Sequence, residues 1–257
     1  MTKTQTRSFF ISFVFLMGLG SFGNSSLAEE KMVFPKNEWG FKKFFGTYDR
    51  AALQRGFQVY KEVCSACHGM DHLYYRNLEA LGFNAAQVKT IAREYKVPSV
   101  DDQGQPFERP AEPSDRFVAP FPNELAARAA NNGAYPPDLS LIIKARTGGP
   151  DYIKALLLGF KPAPEGFKLY PGMYYNEYFS GHQIAMAPPL TEGQVTYSDG
   201  TKATVEQMVD DVVTFMAWAA EPELELRKRL GIRVILFLSV FAVFMFFILR
   251  QAKKAIK

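Results

Sequence analysis

Cysteine is nearly absent: Cys64 and Cys67 are the only two in 257 residues. A framework of structural disulfides is therefore excluded, and a bridge between cysteines three positions apart would strain the S–S geometry. Histidine is almost as scarce, with only His68, His72 and His182. A structural zinc site wants four Cys or His ligands, commonly a second Cys-x-x-Cys or a His-x-x-x-His pair, and His72 and His182 do not supply one. A thioredoxin-like redox pair would need a preceding strand in a βαβ setting, whereas the residues upstream of Cys64 have helical periodicity. What is present is the run Val63-Cys64-Ser65-Ala66-Cys67-His68-Gly69. Cys-x-x-Cys-His is the attachment signature of a c-type haem, in which two thiols bond to the vinyl groups and the adjacent imidazole is set under the iron.

Both ends of the chain carry membrane-related signals. Lys3 and Arg7 precede an apolar run over residues 9–19 and the small-residue exit Ser26-Leu27-Ala28, which predicts a secretory signal over residues 1–28, cleaved after Ala28. Residues 234–249 contain no charge, and residues 230–249 are interrupted only by Arg233. That length and all-round apolarity predict a transmembrane helix, with Arg233 near enough to one end to reach the interface. Four basic residues flank the span on each side, so charge alone does not orient it. The signal does, placing the body (29–226) outside and the tail of the anchor segment (227–257) in the cytoplasm. Without the two basic residues of the signal and the eight from Arg227 onward, residues 29–226 carry 20 basic and 26 acidic side chains, a net −6. An acidic exported domain attracts cationic partners and gains on-rate from steering.

The body reads as mainly α. Leu53, Phe57 and Tyr60 predict a helix over residues 49–63 that delivers Cys64. Asn84 is a plausible N-cap for a second helix carrying Val88, Ile91 and Tyr95. Six prolines between residues 98 and 122 predict a long loop wrapping the domain. Short helices follow from Asn123 to Asn131, from an Asp138 cap to Arg146, and over residues 151–158. Ser198-Asp199-Gly200 within residues 194–204 is the one hairpin signal. Thr204-Val205-Glu206-Gln207 is a capping box opening a helix with an apolar stripe, which stops at Glu221-Pro222 and leads through a polar stretch to the membrane.

His68 takes one axial position on the iron, and the methionines compete for the other. Met1 and Met17 leave with the signal, Met245 lies in the span, Met208 and Met216 face a core, Met70 is too near His68, and Met32 is near the mature terminus. Met173 and Met186 remain. Met186 is favoured because Ala185-Met186-Ala187-Pro188-Pro189 enforces a non-helical loop able to approach a porphyrin. His182 is the rival, and an open position, as in haem enzymes or gas sensors, is the third possibility.

Several further runs stand in a fixed order: Leu53-Gln54-Arg55-Gly56-Phe57-Gln58-Val59-Tyr60 before Cys64, Ala126-Ala127-Arg128-Ala129-Ala130-Asn131-Asn132-Gly133-Ala134, Pro136-Pro137-Asp138-Leu139-Ser140, Ala145-Arg146-Thr147-Gly148-Gly149, Tyr174-Tyr175-Asn176-Glu177-Tyr178-Phe179, and Met186-Ala187-Pro188-Pro189. Together they resemble the cytochrome c1 family, the haem c subunits of cytochrome bc1 (ubiquinol–cytochrome c oxidoreductase) complexes, over nearly all of the mature chain. The resemblance implies a cytochrome c-like haem domain with long loops and one short hairpin, plus one C-terminal transmembrane helix. It implies that Cys64 and Cys67 attach one haem c and that His68 and Met186 ligate its iron. Arg146 would lie near a haem propionate, and Asn131, Pro136, Pro137, Tyr152, Leu156 and Phe179 would line the pocket. One departure is Glu177, where the family commonly has proline after the asparagine. The implied activity is electron transfer from a Rieske iron-sulfur protein to cytochrome c, beside cytochrome b in a dimeric complex of the bacterial inner membrane, with the haem domain on the periplasmic side. The chain would not be an enzyme on its own and would bind no nucleic acid. A stand-alone membrane-anchored carrier is the alternative.

Overall fold

The computed structural model describes residues 33–255. The expected signal peptide, with Met1, Met17 and Met32, and the terminal Lys257 lie outside the described residues. Two helices make the centre of the body. Helix α1 (Arg50–Glu62) is capped by Asp49, whose carboxylate accepts from the Ala51 and Ala52 N–H groups, and it buries Leu53, Gly56, Phe57, Val59 and Tyr60. Helix α6 (Val205–Ala220) is buried on nearly every face from Met208 to Ala219, because α1, α4 (Ile142–Ala145) and α5 (Pro150–Leu158) all pack on it. Met208 and Met216 are therefore core residues, as their spacing predicts.

The α1–α6 crossing depends on a missing side chain. A Cβ on Gly56 would stand 2.0 Å from the Asp211 carbonyl oxygen and 2.8 Å from Phe215 Cβ, so the two backbones touch there. Beside that contact the Arg55 guanidinium forks onto Asp211, with Nε–Oδ2 and Nη2–Oδ1 both 2.9 Å, and reaches Asp199 at 2.8 Å. Phe215 then packs its ring near Phe57, Tyr60 and Trp218 at centroid distances of 5.7–5.8 Å.

Around this pair lie α2 (Ala85–Arg93), with the Asn84/Gln87 capping box in place, α3 (Glu124–Ala130), α4 (Ile142–Ala145) and α5 (Pro150–Leu158). Three sequence expectations change here. The proline-rich stretch is not a plain loop: β1 (Lys96–Val100) and β2 (Pro106–Pro110) pair antiparallel from Lys96↔Pro110 to Val100↔Pro106. Both strands of a two-stranded ribbon are edges, so a proline with no N–H to donate is tolerated. Residues 194–204, the expected hairpin, form a turn without strands. Gly200 N–H donates to Tyr197 O at 3.3 Å, while the Thr196 carbonyl is taken by Gln58 and Asp199 by Arg55. Asp138 does not cap α4, which starts only at Ile142. Its carboxylate accepts from the Ser140 and Asp71 N–H groups instead. A smaller change concerns the capping box at Thr204: its hydroxyl accepts from Gln207 N–H, but the Gln207 side chain turns to Asp211.

Helix α7 (Leu224–Ala255) has 32 residues, about 48 Å at 1.5 Å per residue, and is long and apolar enough to cross a membrane. The polar stretch that leads to it is short outside the helices, Glu221-Pro222-Glu223, and is helical from Leu224 onward. Residues 224–229 are its first turns, and they are bonded to the body: Glu225 pairs with Arg50 and accepts from Tyr48 N–H, and Arg227 pairs with Glu221.

Candidate haem-binding site

Helix α1 ends at Glu62 with Val63 as its C-cap, and Cys64–Ala66 form a single 3-10 turn. The N–H groups of Cys67 and His68 both return to the Cys64 carbonyl, at 3.1 and 2.9 Å, which fixes the two thiols and the imidazole on one tight turn. Cys64 is half-buried and Cys67 exposed. Burial, with the neighbouring Cys67 adding to it, pushes the Cys64 thiol up to about 12.

The His68 ring is oriented from the far side of the sequence. Its Nδ1 lies 2.8 Å from the carbonyl oxygen of Pro137, 69 positions away. A carbonyl only accepts, so Nδ1 carries the proton and Nε2 presents its lone pair, the arrangement that suits a metal-ligating histidine. Burial holds His68 below the ordinary imidazole value, against the opposing pull of that carbonyl and of Asp138, so the ring is neutral at neutral pH. The accepting segment is itself pinned: Leu139 N–H donates to Gly69 O, Asp71 N–H to Asp138, and His72 N–H to Ser140 Oγ. Tyr60 donates its hydroxyl to His68 O at 3.2 Å. Sequence reasoning names Pro136 and Pro137 as pocket residues; both are half-buried, and Pro137 acts through its backbone.

A second group gathers on α5. Tyr152 and Leu156, one turn apart and half-buried, share a face. Arg146, exposed at the end of α4, donates to Ala145 O and forms no ion pair among the described residues. Burial raises the Tyr152 hydroxyl, and the Arg146 charge pulls it down. Phe34, unmarked in the sequence, completes this corner. Its ring meets Tyr152 edge-on at 5.8 Å and occupies the space a Gly148 side chain would need.

Met186 is half-buried just beyond β4 (Gln183–Ile184), which pairs antiparallel with β3 (Tyr174–Tyr175). Fully buried Asn176 ties this ribbon to α5. Its Nδ2 donates to Leu156 O at 2.8 Å, its Oδ1 accepts from Tyr178 N–H, and its own N–H donates to His182 O. Sequence reasoning met Asn176 only as part of a motif, since nothing local in it reveals a bond 20 positions back along the chain. Phe179 is half-buried in the same loop. Met173 lies instead on an open cleft of about 540 Å³ lined also by Leu157, Phe160, Tyr175 and Pro189, which includes no residue of the Cys64–His68 turn. His182 has a left-handed backbone (φ 57°), places Nδ1 3.0 Å from Glu177 O, and lies flat on Tyr175. Asn131 ends α3 with its side chain turned back to Ala127 O, and no hydrogen bond joins it to either group.

Paired thiols, a neutral imidazole with Nε2 available, half-buried apolar side chains and an arginine without a carboxylate partner fit a covalently bound haem. The Cytochrome C1 family model matches residues 39–256. A cytochrome c1 of Rhodospirillum rubrum is 50% identical over 222 residues, which is 80% of this chain and 82% of that protein. A cytochrome b/c1 of Bradyrhizobium diazoefficiens is 49% identical over 252 residues, 89% of this chain but only 37% of that longer protein. The mitochondrial cytochrome c1 heme protein of Saccharomyces cerevisiae is 48% identical over 214 residues, 82% of this chain and 69% of that protein.

Proposed function

This chain belongs to the cytochrome c1 family, the haem-bearing electron-transfer subunits of the cytochrome bc1 complex, and on that premise we propose which residues hold its haem and between which partners it works. It carries one covalently bound haem c. Cys64 and Cys67 would form the two thioethers, and His68 and Met186 would ligate the iron. When bound, the group supplies one-electron iron chemistry with no bond making at the metal. The observation that carries the reading is the 2.8 Å contact between His68 Nδ1 and Pro137 O, directly beside the cysteine pair. Pro137 holds the ring in one tautomer and one orientation, with Nε2 free to take a metal. Arg146 offers its planar fork to a propionate. Tyr152, Leu156 and Phe179 exclude water, and Asn176 holds the Met186 loop to the helix that bears two of them.

Within the complex the subunit takes one electron from a Rieske iron-sulfur protein and passes it to cytochrome c, anchored by α7 beside cytochrome b in a dimeric assembly. The setting is the bacterial inner membrane, with residues 1–28 as a removed signal and the haem domain on the periplasmic side. Redox-resolved absorption spectra with added CO, on the solubilised protein and on Met186→Leu, test the ligand set. The native protein is expected to be low-spin and indifferent to CO, and the variant to bind CO and fall in potential. A variant indistinguishable from the native protein would remove Met186 and promote His182 or Met173.

A further inference from the structure

Two of the most exposed aromatic side chains in the body sit side by side where α7 leaves it. Phe44 and Phe45 are 70% and 76% exposed, with rings edge-to-face at 4.7 Å. They occupy the centre of a tight turn closed by Gly46 N–H to Lys43 O at 2.9 Å. The turn is packed closely enough that a Cβ on Gly46 would stand 2.0 Å from Gly40 O. Side chains of this size left in water on a rigid turn call for a covering partner.

Position says what that partner is. Lys228, in the second turn of α7, donates its ammonium to three carbonyls of this one segment: Phe41 O at 2.7 Å, Lys43 O at 2.5 Å and Gly46 O at 3.1 Å. An ammonium has three donors, and all three are used to hold the loop to the helix. Leu230, which opens the apolar run, is two residues further on, only about 3 Å along the helix axis. The Arg50–Glu225 pair and the Tyr48 N–H bond to Glu225 fix the segment that follows to the same end of α7. The turn that bears the two phenyl rings is thus bonded to α7 within about one helical turn of the start of its apolar run. Exposed Lys43, 4.0 Å from the Glu38 carboxylate, is next to Phe44 in sequence, and exposed Arg229 and Arg233 lie on the adjoining turns of the helix, a net cationic setting suited to phospholipid headgroups.

We propose that the Phe44–Phe45 turn is a second membrane contact, inserted into the headgroup and upper acyl layer of the bilayer beside the entry point of α7. Anchored at one helix alone, the haem domain would tilt and turn with that helix in the bilayer. Anchored at helix and turn, it is held at one tilt to the membrane plane.

The inference rests on α7 crossing the membrane, and retention of the chain in the pellet after alkaline carbonate washing checks that premise separately. For the turn, Phe45→p-benzoylphenylalanine in the full-length, haem-loaded protein is irradiated in its own membranes and the peptide carrying position 45 is weighed. Phospholipid adducts are expected, as they are from the same replacement at Phe241 within α7. Adding Lys228→Met should lower the lipid adduct at position 45 by about threefold or more and leave that at 241 unchanged, with the haem spectrum reporting an intact fold. Cross-links only to another polypeptide would make the turn a protein-docking element, and photoreduced probe without adducts would place it in water. Either outcome, or a yield at 45 unaffected by the loss of Lys228, overturns the proposal.

Discussion

At the scale of single residues, the proposed haem-attaching group is legible because its chemistry is local. Two thioethers and a ligand within five positions would demand particular residue types at a fixed spacing, and the chain's two cysteines offer no other such run. What orients His68 is not legible, because a backbone carbonyl carries no residue signature and this one stands 69 positions away. Arg146 shows the same division: its motif marks it, but its exposure at the end of α4, free of any described carboxylate, is a tertiary fact. A fixed positive charge near a haem favours the reduced iron, so Arg146→Gln is expected to lower the midpoint potential by some tens of millivolts while leaving the low-spin spectrum unchanged. Potentiometric titration of native and variant proteins measures it, and an unchanged potential would detach Arg146 from the haem.

At the scale of elements, the α1–α6 crossing is the contact on which the site's geometry rests, since α1 ends where Cys64 begins. Gly56→Ala places a methyl against backbone atoms that have no rotamer to escape into, and it is expected to destabilise the protein by about 3 kcal/mol, at the upper end of overpacking effects. Denaturant unfolding followed at the haem band gives the value. The Arg55 network carries a pH signature. The Thr201 N–H first, and Arg55 second, hold Asp199 down at about 2, below its ordinary 3.8. A depressed carboxylate adds stability that is fully present above its unfolded value and is lost as pH falls through the folded one. The native protein is therefore expected to lose this contribution between about pH 4 and pH 2, and Asp199→Asn to lack that limb of the stability–pH curve. Element types with strong caps and stripes, such as α1, α2 and α6, are readable in sequence. The 96–110 ribbon is not, because its prolines count as breakers until the pairing shows that both strands are edges. The reverse error at residues 194–204 has the same root: Ser198-Asp199-Gly200 does turn the chain, but α1 side chains take Asp199 and the Thr196 carbonyl.

At the scale of the whole molecule, charge is divided along the chain: a net −6 over residues 29–226 against eight basic and no acidic residues from Arg227 onward. Encounter with a basic soluble cytochrome is expected to be steered by the body, so the bimolecular electron-transfer rate should fall about tenfold between ~50 and ~500 mM salt, as stopped-flow spectroscopy would read. A rate flat with salt would mean that the acidic residues do not face the docking partner. Composition and spacing by themselves determined the haem type, its covalent attachment, the membrane-length helix and the sign of the body's charge. Each of these follows from residue types that are neighbours in sequence or simply summed over it. Only the tertiary structure decided how His68 is aimed, how Asn176 ties the Met186 loop to α5, and how Lys228 clamps the Phe44–Phe45 turn to the base of α7. The physical reason is common to all three: the partner is a backbone carbonyl brought close by packing, and every residue has a carbonyl.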